Sequence, residues 1–139
     1  MTSEEIVRLL DLNPHPEGGH YRETWRAAAA AGERASGTAI YYLLKRGETS
    51  HWHRVDAGEV WHFYAGAPLA LSISADGVRS DVHVLGSNIV TGERPQIVVP
   101  AGHWQAARSQ GDWTLVGCTV SPGFEFAGFE MAPAGWMPG

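Results

Sequence analysis

Residues 50–66 read SHWHRVDAGEVWHFYAG. His51 and His53 stand two apart, VDAG follows, and Glu59 opens a run of alternating aromatic and polar positions. Side chains alternate along a strand, so His51 and His53 are expected on one face, about 7 Å apart along the backbone, with Trp52 on the other. VDAG predicts a chain reversal. On the returning strand Glu59, Trp61 and Phe63 share one face, opposite Val60, His62 and Tyr64. If that face is also the face of the histidines, the hairpin presents two imidazoles and a carboxylate on one wall. That is a facial 2-His-1-carboxylate set, suited to Fe, Mn, Ni, Cu or Zn with other positions open to substrate.

The surrounding chain supports a β-rich host for such a wall. From Tyr21 onward the hydrophobic period is two, in short runs such as TAIYYLL, LALSIS, QIVVP and WTLVGCTV separated by Gly, Pro, Asp or Ser. About ten closely punctuated strands predict an all-β barrel or sandwich rather than βαβ units. The one helix expected lies at 2–12: Thr2 or Ser3 caps it, Glu4 and Glu5 occupy its first turn, and Ile6, Leu9 and Leu10 share a face. Residues 27–37, AAAAAGERASG, predict an exposed loop. The Pro- and Gly-rich segment 133–139 predicts a flexible tail whose Trp136 and Met137 are free to dock on a neighbour.

A length of 139 residues suits one domain, with the barrel at about 20–132. The net charge of -5 argues against nucleic acid or an anionic membrane as partner and leaves a small-molecule ligand as the better expectation. The single cysteine, Cys118, allows no intrachain disulfide and lies in an apolar strand, where it reads as a core residue. The first residues carry two acids and no long apolar stretch, unlike a signal peptide, and no segment is long enough to span a bilayer. A cytoplasmic protein is expected.

A second stretch, QIVVPAGHWQAA (96–107), predicts a strand, a turn at Pro100–Gly102, and a strand with His103 and Gln105 on one face. Together with Gly47, His51, His53, Glu59 and Gly66 it resembles the paired motifs of the cupin superfamily. HPEGGHYRETWR (15–26), AIYYLL (39–44) and WTLVGCTVSPGFEFAGFEM (113–131) extend the likeness, and nearly the whole chain is similar to the cupin_5 family, formerly DUF985. That resemblance implies an RmlC-like cupin, a double-stranded β-helix or jelly-roll barrel with the two motifs facing across its mouth. It also implies a homodimer and an activity that the family leaves largely unassigned.

Carried onto these positions, the resemblance makes His51, His53, Glu59 and Gln105 the metal-ligand candidates, with His53 and Glu59 catalytic. The chain departs from the metal-holding pattern twice. Five residues separate His53 from Glu59, more than in metal cupins, and Gln105 stands where those carry a last histidine, offering only a carbonyl oxygen. Trp61, Phe63, Tyr21, Arg22 and His103 are the candidate substrate contacts: the aromatics as a stacking wall, Arg22 as an anion clamp, His103 from the facing motif. Glu23 is expected in an ordinary ion pair, and His15, His62 and His83 in structural or surface roles. Three functions remain open from the sequence: a metal-dependent enzyme on a small polar metabolite, metal-free acid–base chemistry of the sugar-epimerase type with His53 as base, and a binding module without turnover.

Overall fold

The computed structural model describes residues 1–139. Helix α1 (Ser3–Leu9) is fixed at its start by a reciprocal cap: the Glu5 N–H donates to the Thr2 hydroxyl and the Thr2 N–H to the Glu5 carboxylate. Ile6 points inward and packs with Leu12 and Leu43. The chain then enters β1 (Asn13–Pro14), β2 (His20–Arg26), β3 (Thr38–Lys45), β4 (Thr49–Val55), β5 (Gly58–Gly66) and β6 (Leu69–Ser74). It continues through β7 (Asp81–Leu85), β8 (Gln96–Val99), β9 (Trp104–Ser109), β10 (Trp113–Ser121) and β11 (Phe129–Met131). No helix is long and apolar enough to cross a membrane.

Two antiparallel sheets result, with strand orders β1-β2-β3-β10-β5-β8 and β11-β4-β9-β6-β7. They enclose a core that includes Tyr42, Leu44, Trp61, Leu69, Leu71 and Val116. Burying each such large side chain contributes about 1.5–3 kcal/mol, and the two-residue period of the strands is what lets both sheets send one face inward. The architecture is all-β, as the alternation predicts, and its two packed sheets form the jelly roll that the resemblance implies.

Two local departures from the expected pattern shape everything that follows. First, β4 and β5 are not a hairpin. They belong to different sheets, so Val55–Gly58 turns a corner of the barrel instead of reversing the chain within one ribbon. Second, β4 slips its register against β9: Ser50 pairs with Ala107 but His53 pairs with Gln105, three residues of β4 spanning two of β9. The extra residue is a β-bulge, and it breaks the alternation so that Ser50 and His53 both face inward.

The segment 27–37 has no regular structure, as expected, yet it is tied down. Arg34 donates to both carboxylate oxygens of Asp56 (2.7 and 3.0 Å) and to the Gly123 carbonyl (2.7 Å). The terminal segment is also held to its own chain. Trp136 packs on Trp104 (4.7 Å between ring centroids) and Trp52 (6.0 Å), and the Gly139 N–H donates to Gly77 O at 3.1 Å. The expected free tail is therefore replaced by a segment laid over the outer face of β4 and β9, with Trp136 spent within the chain.

Candidate functional site

The inward faces of β2, β3, β4, β5 and β10 surround a cavity of about 420 Å³, bounded on one side by aromatic residues that follow β10. Three short segments set its chemistry. The HPEGG stretch before β2 brings in His15 and Glu17. Gly18 (φ 112°) and Gly19 (φ 75°) let it do so, since a Cβ on Gly18 would collide with the Thr49 carbonyl oxygen and one on Gly19 would stand 2.7 Å from Leu43 O. β4 contributes Ser50 and His53, and β5 contributes Glu59. His15, Glu17, His53 and Glu59 are 8%, 9%, 2% and 7% exposed.

His53 is held from behind. Its Nδ1 donates to the His51 carbonyl oxygen at 2.7 Å and lies 3.4 Å from Glu17 Oε2. A carbonyl only accepts, so Nδ1 carries the hydrogen and Nε2 keeps its lone pair. Nε2 makes no hydrogen bond within the protein, and the His53 side chain lines the cavity. Burial pushes the His53 imidazole below its ordinary value, against the pull of Glu59, so the ring is neutral.

Glu17 hydrogen-bonds the Ser50 hydroxyl, and its Oε1 lies 3.3 Å from His15 Nδ1. That nitrogen already accepts the Glu17 backbone N–H at 3.1 Å. Two acceptors therefore face each other unless the carboxyl is protonated. Burial pushes Glu17 up to about 7, in the same direction, and pushes His15 down to about 4, with His53 adding to the effect. Glu59 is likewise raised, first by burial and then by Glu17, with His53 opposing. A hydrogen-bonded chain fixes it: Trp61 Nε1–H donates to Gln105 Oε1 (2.8 Å), and Gln105 Nε2–H donates to Glu59 Oε1 (2.9 Å). The Cys118 thiol on β10, which lines the same cavity, is pushed well above its ordinary value by burial.

The structure gathers His53, Glu59 and Gln105, but from facing sheets rather than from one ribbon. It separates His51 from them. The bulge turns that ring outward, where Nε2–H donates to Pro133 O at 3.0 Å beside Trp52 and the terminal segment. The anticipated metal centre thus lacks its parts: one imidazole lies outside, and the Gln105 oxygen is engaged by Trp61 while its amide engages Glu59. No group of three or more His, Cys, Asp or Glu side chains is placed to hold an ion. The donor set does not fit a resident metal.

Among the expected substrate contacts, Tyr21 lines the cavity, edge-on to His15 at 4.5 Å. Arg22 points out and pairs with Asp11 (2.8 Å). Trp61 is fully buried in the core against Tyr42 and Phe63 packs beside that cluster, neither on the cavity wall. His103 belongs to the turn before β9, also off the wall. The aromatic wall is instead Tyr21, Phe124, Phe126 and Phe129. Glu23 does form an ion pair, with Arg26 (2.6 Å), yet both line the cavity because β2 bulges between Glu23 and Trp25. His15, expected in a structural role, and Glu17, overlooked, are the residues that sequence reasoning missed. A carboxylate set between Pro16 and two glycines, one residue from a histidine, was the available signal.

The chain belongs to the Cupin superfamily (DUF985) family, whose pattern matches residues 4–132. No curated protein matches it. A Shewanella oneidensis protein of known crystal structure is 38% identical, with a TM-score of 0.90, over 95% of this chain and 85% of that one. A hypothetical protein from Leishmania major is 32% identical with a TM-score of 0.88, covering 98% of this chain and 90% of that one. An oxalate decarboxylase variant from Bacillus subtilis shares the fold at 16% identity, with a TM-score of 0.67 over 86% of this chain and 30% of that one.

Proposed function

We propose that the cavity binds a small polar metabolite and moves a proton on it by metal-free acid–base chemistry, with His53 as the base. The observation that carries this reading is the state of His53: 2% exposed, Nδ1–H anchored on the His51 carbonyl at 2.7 Å, and Nε2 unpartnered toward the cavity. A buried neutral imidazole with an oriented lone pair is the arrangement general-base catalysis requires. As His53 takes a proton from the ligand, the His51 carbonyl that already accepts from Nδ1 at 2.7 Å holds the imidazolium that forms. Glu59, whose hold on a proton burial strengthens, is the group placed to return one.

Oxalate decarboxylase from Bacillus subtilis has Mn(II) centres. At 15% identity that likeness concerns the fold alone, and the donor geometry here favours the metal-free reading. The exposed Val98 on the edge strand β8 supports the expected homodimer.

The test is incubation of chelator-treated protein in D2O with hydroxyacetone and aminoacetone, two compact ketones with acidic C–H bonds, followed by NMR. Wild type is expected to wash deuterium into the position beside the carbonyl, and His53→Gln to lose that exchange by a factor of about 100 or more. Exchange that vanishes with chelation and returns with a metal overturns the reading. Tight binding with no exchange reassigns the protein as a binding module.

A further inference from the structure

A buried carboxyl is either paired with a cation or held neutral until one arrives, because an isolated buried charge costs far more than it returns. Charges lining the cavity are Glu17, Glu23, Glu59, Glu125 and a single guanidinium, Arg26. Arg26 is already committed: its Nε and Nη2 meet both oxygens of Glu23 (3.2 and 2.6 Å), and Nη2 also donates to Phe124 O (2.9 Å). Arg34, on the far side of Glu125, is held by Asp56. Glu17 and Glu59, at 9% and 7% exposure, therefore share a cavity that contains no cation for them. Their neighbours His15 and His53 are neutral, each depressed first by its burial.

A second feature is independent of those acids. His53 Nε2, on a side chain almost wholly withdrawn from solvent, is an acceptor with no donor, aimed into the same space. Aromatic rings line the same space: Phe129 stands 5.4 Å from the His53 ring, Phe126 is 6.3 Å from His15, and Phe124 packs on both of these phenylalanines (5.0 and 5.8 Å). Carboxyls and an imidazole lone pair accept hydrogen bonds, and aromatic faces attract cations. The cavity is thus stocked with acceptors and π surface and lacks a free positive charge to receive an anion.

We infer that the ligand is an organic amine, whose ammonium donates to the carboxyls of Glu17 and Glu59 and pairs with them as they ionise on its entry, and whose carbon body lies against the wall of Tyr21, Phe124, Phe126 and Phe129. This rests on the reading of the cavity as a small-molecule site and specifies its ligand class. It turns away phosphorylated compounds and sugar nucleotides, whose anionic groups would meet unpaired carboxyls, and it leaves His53 Nε2 free to act on a C–H beside the amine.

Equilibrium binding of three probes with a common ring decides it: benzylamine, benzyl alcohol and benzoate at neutral pH, followed by calorimetry and by NMR of the aromatic wall. The amine should bind at least about tenfold more tightly than the alcohol, and benzoate not at all, a gap consistent with one desolvated ion pair plus cation–π contact. In Glu59→Gln, which preserves shape and the Gln105 contact, the preference for amine over alcohol should fall several-fold. Glu23→Gln supplies a second folded variant, expected to shift the ranking less because Glu23 already has a cation. Equal or tighter binding of the alcohol or of benzoate, no binding of the amine at millimolar concentration, or an unaltered preference in Glu59→Gln overturns the assignment. Deuterium exchange lost in His53→Gln while the amine preference fails would sink this inference alone. An intact preference with no exchange would sink only the acid–base reading.

Discussion

His51 and His53 are two residues apart on one strand, and they live in different molecules, chemically speaking. His53 is sealed inside with a lone pair facing a cavity and a carboxyl behind it. His51 lies on the outer side, bonded to Pro133 O among the indoles of Trp52 and Trp136. One extra residue in β4 relative to β9 makes the difference, because it reverses which side of the sheet the following positions face. The comparison teaches that a functional wall on a β-strand is decided by register, and that spacing between two ligating residues describes a wall only where the register is unbroken.

The largest test of this contrast concerns what holds the inner side together. Gly18 lies against Thr49 of β4 and brings Glu17 to Ser50 and His53. Gly18→Ala puts a methyl group into the Thr49 carbonyl at a positive φ, and is expected to cost about 3 kcal/mol or more in urea denaturation. A loss below about 1 kcal/mol would mean the HPEGG segment is not a fixed part of the inner wall.

Next is the pH dependence of stability. Glu17 has an ordinary value of 4.5 and a folded value of about 7. Its contribution is complete below about 4.5 and is lost as pH rises toward 7, since the unfolded chain ionises first. His15 runs the other way, from 6.5 to about 4: its contribution is complete above 6.5 and is lost as pH falls through 4. Glu59, raised, and His53, depressed, oppose each other with the same signs. Wild type should therefore be nearly flat in mildly acidic solution. Glu17→Gln removes one of the two slopes, so the variant should gain on wild type by roughly 3 kcal/mol between pH 4.5 and pH 7, at about 1.4 kcal/mol per unit. A constant difference between the two melting profiles across that range would show that the inner carboxyl stays ionised and solvated.

The smallest effect belongs to the outer histidine. His51→Ala removes one half-exposed hydrogen bond and should cost at most about 1 kcal/mol while leaving cavity binding unaltered. If it instead abolished deuterium exchange or ligand binding, the two histidines would act together after all and the distinction between the faces would fall.

What the sequence revealed follows from these same physics. Alternation with period two marks the strands at TAIYYLL, LALSIS and WTLVGCTV, because burying one face of a sheet demands it, and the resemblance of the motifs identified the family. His53, Glu59 and Gln105 were singled out by the likeness of their motifs to the cupin pattern, and the fold buries all three. His51 was misplaced because a bulge leaves no signature in the order of residues. Trp61 was assigned to a pocket since nothing in EVWHF separates a cavity wall from a packed core, a matter of how far the opposite sheet stands away. Glu17 and His15 lie in a Gly- and Pro-rich segment with no period, so their inward direction comes from backbone conformations that only the folded chain displays. The phenylalanines at 124, 126 and 129 follow the last long strand through a 3-10 turn, where alternation has ceased.

The indole of Trp136, tilted 41° against Trp104 at 4.7 Å, with Trp52 nearly perpendicular at 6.0 Å, has an optical consequence. Chromophores that close and that mutually inclined share their electronic transitions, so this trio should imprint a paired positive and negative band on the circular dichroism spectrum. It belongs to the outer surface alone, and therefore offers a spectroscopic channel for lifting of the terminal segment that remains blind to events within the barrel.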